Sequence, residues 1–266
     1  MFCDTSTNYI VLASTSRCGS TALIHALHSF RQQPIFTFWP TVPASPQDEI
    51  QGKIAELRTM VDAGPVILKQ YHTFYDPFVE QLPSKKIFLY RRNLRDQMRS
   101  LIVARHNKKW HFTRRLDRDF VVRGVQSQPY STPLVLDNEP PFEEQGFTTY
   151  DTNVPEVLAY FENVRTWLTT LDRYMNDDSA ALVCYEDLFD NHPNNPVWKG
   201  LIGHQPHMPW REAITPEELG RIHVRFSQTP PHYYINGIFE NEAVYDTIFN
   251  ELIQGFASRG IPVFSL

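Results

Sequence analysis

The chain has 266 residues, 42% hydrophobic and 21% charged, with a net charge of −5. That balance suits one large domain with a real core and excludes wholesale disorder or a uniformly basic nucleic-acid binder. Three cysteines, Cys3, Cys18 and Cys184, exclude a disulfide scaffold, and no run approaches a membrane span, so the expectation is a soluble, cytoplasmic protein with no membrane partner.

Tyr9–Ala13 is a short apolar run, the pattern of a buried strand. A polar loop over Ser14–Ser20 follows, and Leu23, Ile24, Leu27 and Phe30 then recur at helical spacing. Residues 47–63 predict a helix with Ile50, Ile54, Leu57 and Val61 on one face. Pro65–Leu68 predicts a second strand, leading into Lys69-Gln70-Tyr71-His72, and Lys86–Tyr90 a third. Asn93 is the cap of a helix carrying Leu94, Met98, Leu101 and Ile102. Residues 111–153 lack a period and predict an irregular excursion, a lid or acceptor wall. Asn153-Val154-Pro155-Glu156 starts a long helix whose apolar stripe runs from Val157 to Met175. Ala180–Cys184 predicts a fourth strand. Thr215 opens another helix, and a last one covers about 240–257 with Val244, Ile248, Leu252 and Phe256 inward. Strands alternating with helices predict one α/β domain over residues 1–266, in three α/β/α layers around a mainly parallel sheet.

Charge is unevenly placed. Residues 91–118 hold ten Lys/Arg against two acids, a balance of +8 that leaves −13 for the rest. Arg95, Arg99 and Arg105, taken singly, read as a solvated basic helix face.

Three segments carry chemistry. The strand–loop–helix at residues 14–21 is where backbone amides and a helix dipole bind phosphate. Against the pattern G-x-x-x-x-G-K-[ST], Gly19 and Thr21 fit, Ser14 replaces the first Gly, Ser20 replaces the Lys, and a cation stands instead at Arg17. Cys18 fits as a small side chain. Arg92 leaves a strand end and offers a planar fork to a phosphate, with Ser100 about two turns into the next helix. The third segment is a strand ending in Tyr185-Glu186-Asp187-Leu188.

In this order the segments resemble those of sulfotransferases that use 3′-phosphoadenosine 5′-phosphosulfate. Arg17-Cys18-Gly19-Ser20-Thr21 is similar to that family's 5′-phosphosulfate loop. Arg92, Asn93, Arg95, Asp96 and Ser100 are similar to its 3′-phosphate segment, and Tyr185-Glu186-Asp187-Leu188 to the strand end whose Tyr approaches the nucleotide. The resemblance implies a P-loop-like sulfotransferase fold and transfer of a sulfuryl group to a hydroxyl or amine, with 3′,5′-adenosine bisphosphate as the other product. It implies Arg17 and Lys69 as stabilisers of the leaving group and residues 17–21 as the phosphate cradle. Arg92 and Ser100 would take the 3′-phosphate, and Tyr185 would sit near the adenine. His72 would be the general base, one residue beyond the family's K-x-H spacing, with Glu80, His25 and His106 as alternatives. No metal is required by this scheme. The family's R-K-G and G-x-x-G-x-x-K stretches and its short dimerisation motif are absent from the sequence, which leaves a second 3′-phosphate clamp and the oligomeric state unassigned.

Two other readings compete. A P-loop kinase would bind MgATP, against which the missing lysine counts. A polyanion or nucleic-acid module would use the +8 segment with Trp110, His111 and Phe112 interleaved. The expected partner is a small-molecule or glycan acceptor rather than a nucleic acid.

Overall fold

The structure is a computed structural model that describes residues 7–15, 17–20, 23–24, 27–28, 32–37, 47–71, 77–106, 148–174, 177, 180–186 and 237–265. Its strands are β1 (Asn8–Ala13), β2 (Ile35–Thr37), β3 (Ile67–Tyr71), β4 (Ser84–Tyr90), β5 (Thr148–Asp151), β6 (Ala180–Cys184) and β7 (Gly237–Glu240). The helices are α1 (Gln47–Ala63), α2 (Pro77–Gln81), α3 (Leu94–His106), α4 (Pro155–Tyr174) and α5 (Asp246–Ala257), the last preceded by a 3₁₀ turn at Glu242–Tyr245. Ser20, Leu23, Ile24, Leu27 and His28 are also helical.

Five strands form one parallel sheet in the order β2-β3-β1-β4-β6. Alternation along these strands sends side chains to two separate cores. Ile10, Leu12, Leu68, Phe88, Tyr90 and Leu182 face α1, α3, α4 and α5. Tyr9, Val11, Ala13, Ile67, Ile87 and Leu89 face Cys18, Leu23, Ile24 and Leu27. Helices therefore cover both faces, and β1 and β4, buried on both sides, read as continuous apolar runs for that reason. Trp167 of α4 donates its Nε1–H to the Leu12 carbonyl at 3.1 Å, tying the α4 layer to the central strand.

Several boundaries differ from the sequence reading. The second strand is Ile67–Tyr71, so Lys69 lies within it, paired with Val11 and Thr37. The excursion at 111–153 ends in β5, which pairs in parallel with β7 in a separate two-stranded sheet. The last helix begins at Asp246, and Phe249, Leu252 and Phe256 are its buried residues. Val244 falls in the 3₁₀ turn and is 67% exposed, because a tighter turn resets the helical register. The helix expected from Thr215 lies outside the described residues.

Candidate functional site

The site gathers at the carboxyl ends of β1, β3, β4 and β6, where open parallel sheets place their ligands. The loop after β1 carries two residues in the left-handed region, Arg17 at φ 67° and Gly19 at φ 80°. Glycine takes that conformation freely, whereas an arginine there costs about 1 kcal/mol, a strain that concentrates at functional loops. Such turns aim successive amides to one side and favour anions. The Leu23 amide donates to the Gly19 carbonyl at 3.0 Å, so the helix starts directly behind the loop. The loop's other end is anchored by the Ser14 amide, which donates to the Leu89 carbonyl of β4 at 2.8 Å.

Helix α3 clasps this loop. Asn93 caps it: its side-chain amide donates to Asp96 at 2.7 Å, and its carbonyl oxygen accepts from the Asp96 amide at 3.4 Å. Three residues apart on one helix face, Gln97 and Ser100 reach the loop after β1. Gln97 Nε2 donates to Ser14 Oγ at 3.5 Å, and Ser100 Oγ accepts from Arg17 Nε at 3.0 Å. The structure thus brings Arg17 and Ser100, 83 residues apart, into direct contact. Gln97 went unnoticed in the sequence, although its position one turn before Ser100 was the available signal.

Lys69 shares its sheet face with Ile67 and Val11, the face that Cys18 also covers. Both Lys69 and Cys18 are buried. Burial lowers the Lys69 pKa to about 8; Cys18 opposes that fall and the Arg17 guanidinium deepens it. Burial likewise pushes the Cys18 thiol up, against Lys69 and hydrogen bonds from Ser20 and Thr15. Cys18 is therefore a packed, neutral side chain rather than an activated thiol. The buried Lys69 and the half-buried Arg17 repel one another, an arrangement that favours an anion between them.

The β4–α3 turn is fixed by a buried carboxylate from the end of β6. Glu186 accepts the Arg92 amide at 2.7 Å, the Asn93 amide at 3.1 Å and the Cys184 thiol at 3.0 Å, and lies 3.7 Å from Arg91. The Arg91 guanidinium sits 4.9 Å from the centre of the Tyr185 ring. Arg92 is buried. Because Glu186 takes up the amides of this turn, any ligand anion here falls to side chains such as Arg92, in contrast to the loop after β1. Thr21 and His72 lie outside the described residues.

Of the remaining arginines of α3, Arg95 and Arg99 are engaged with distant acids rather than lying on a solvated face, while Arg105 is exposed. Arg99 makes a two-pronged pair with Glu242 at 2.8 and 2.7 Å and contacts Asp96 at 3.3 Å. Arg95 meets Glu242 at 3.3 Å, Asp246 at 2.5 Å and Ser265 Oγ at 3.0 Å. Arg105 pairs with Glu156 at 2.8 Å. Apart from Asp96, on the same helix, these acids come from segments 51 to 151 residues away, so part of a basic stripe in sequence is neutralised within the fold. That pairing engages three of the ten cations on which a polyanion-binding reading depends; Lys108, Lys109, Arg114, Arg115 and Arg118 lie outside the described residues. His106, at the end of α3, sets its ring edge-on to Tyr150 at 5.1 Å.

Among the described residues, no helix is long and apolar enough to cross a membrane, and no cluster of three His, Cys, Asp or Glu has metal-holding geometry. No family model matches the chain, and no curated protein matches it. Among solved structures the chain is similar to mouse sulfotransferase SULT7A1 in its crystal structure complexed with PAP. Identity is 12%, the alignment covers 97% of this chain and 90% of that one, and the TM-score is 0.42.

Proposed function

We propose that the chain is a sulfotransferase that takes the sulfuryl group from 3′-phosphoadenosine 5′-phosphosulfate and transfers it to a hydroxyl or amine of a small-molecule or glycan acceptor. The observation that carries this reading is the contact between the loop after β1 and the helix after β4. Arg17 bonds Ser100, with Lys69 beside Arg17 and Arg92 at the head of that helix. The two motifs that resemble the donor site's 5′ and 3′ halves are thereby neighbours in space as well as ordered in sequence.

The chemistry asks little beyond placement and charge. An acceptor oxygen attacks sulfur, the bond from sulfur to the bridging phosphate oxygen breaks, and the leaving nucleotide phosphate gains negative charge. Arg17, Lys69 and the amides around Gly19 are suited to meet that charge where it develops, and one such donor is worth on the order of 3 kcal/mol in the barrier. A cation at position 20, as in the nucleoside-triphosphate pattern, is absent; Ser20 stands there. The sulfuryl group carries less charge than a phosphoryl group, which fits a site with fewer cations. Thr21 completes the cradle in this reading. His72 accepts the acceptor's proton, for which it must come within about 3 Å of that hydroxyl, directly or through a water. In this reading the ring of Tyr185, which the Arg91 guanidinium covers, takes the adenine.

The test is donor binding by Arg92→Ala. A guanidinium fork on a phosphate is worth about 1.5–3 kcal/mol, so the dissociation constant for 3′,5′-adenosine bisphosphate should rise at least tenfold. An unchanged constant would remove Arg92 from the site.

A further inference from the structure

We infer that Glu186 is a positioning residue that sets the selectivity of the site for a nucleotide bearing a ribose 3′-phosphate. This rests on the reading of Arg92 as the 3′-phosphate ligand. The main chain at Arg92 is held from both sides by distant segments. Its N–H donates to Glu186 at 2.7 Å, and its carbonyl accepts from the Phe264 N–H at 3.0 Å. The next two amides are held likewise: that of Asn93 donates to Glu186 at 3.1 Å and that of Leu94 to the Phe264 carbonyl at 3.0 Å. Glu186 is itself locked by the Cys184 thiol at 3.0 Å and by Arg91 at 3.7 Å.

A long side chain aims no better than the backbone that carries it, and small misplacements at a reacting or binding group are costly. In this turn the backbone is aimed by one carboxylate from β6 and one strand-like contact from the chain's end. Glu186 also occupies the amides at the start of α3, which denies them to a ligand and leaves discrimination to side chains. Its place in the aromatic-acid-acid sequence therefore has a geometric reason separate from any contact with nucleotide.

The experiment compares Glu186→Gln with wild type. Glutamine keeps the size but presents an NH₂ where a carboxylate oxygen accepted an amide, so the turn must shift. Calorimetry would give dissociation constants for 3′,5′-adenosine bisphosphate and 5′-AMP. The expected result is that the preference for the bisphosphate falls about tenfold in Glu186→Gln while 5′-AMP binding changes less than twofold. Phe264→Pro, which deletes the N–H that Arg92 accepts, should lower the same preference and provides a second route if the first variant does not fold. Equal weakening of both nucleotides, or an unchanged preference in folded variants, would overturn the positioning role. A wild-type protein that shows no preference for the bisphosphate would instead overturn the reading of the site itself.

Discussion

Replacing Lys69 by methionine isolates the cost of holding a cation at the head of the sheet. Burial brings the Lys69 pKa from 10.5 to about 8, with Arg17 adding to the fall. Between about pH 8 and 10.5 the unfolded chain carries a proton on this lysine that the folded chain has released. Stability from this group therefore rises with pH through that window and is lowest below it. The difference amounts to roughly 3 kcal/mol at pH 7. Methionine has similar length and no charge, so Lys69→Met should be more stable than wild type by roughly 3 kcal/mol at pH 7, narrowing to about half of that at pH 9.5. Urea unfolding at the two pH values measures both. The same variant should lose at least a hundredfold in transfer rate, the usual exchange of stability for a functional strain. A variant no more stable than wild type at pH 7, or one whose advantage does not change with pH, would refute the reasoning.

Other consequences follow from the same geometry. Glu242→Gln breaks the two-pronged pair with Arg99 and the contact with Arg95. Their side chains are 24%, 12% and 14% exposed, so the loss should fall between that of an open and a buried pair, about 2 kcal/mol by chemical denaturation. Ser100→Ala removes the hydroxyl that accepts from Arg17 Nε at 3.0 Å and should weaken 3′,5′-adenosine bisphosphate about tenfold in calorimetry while stability moves by under about 1 kcal/mol.

The layered parallel sheet was legible because β1, β4 and the edge strand β6 are buried on both faces. Tyr9–Ala13, Ile87–Tyr90 and Ala180–Cys184 are unbroken apolar runs, and the Asn153–Glu156 start signal lies where α4 begins. The strands Ile35–Thr37 and Gly237–Glu240 were not legible, since three or four residues carry no period. For the candidate site, local sequence pointed to the loop around Arg17 and to the Arg92–Ser100 segment, because a strand–loop–helix turn and a helix cap are local devices. What escaped was non-local. Arg95 and Arg99 look like a free cationic stripe until Glu242 and Asp246 arrive from 143 to 151 residues away. Glu186 likewise shows no role until it meets the Arg92 and Asn93 amides, 94 and 93 residues off. Lys69 was legible as a residue of interest, but its burial, and hence its lowered pKa, depends on the layer that covers that face.

The proposed site takes a nucleotide with both 5′- and 3′-phosphates, and thermal unfolding with 3′,5′-adenosine bisphosphate in the absence of Mg²⁺ checks that assignment. At about 100 times its dissociation constant the ligand should stabilise the fold by roughly 2.7 kcal/mol, with 5′-AMP giving less at equal concentration. Stabilisation by MgATP in place of the bisphosphate, or by none of the three, would contradict it.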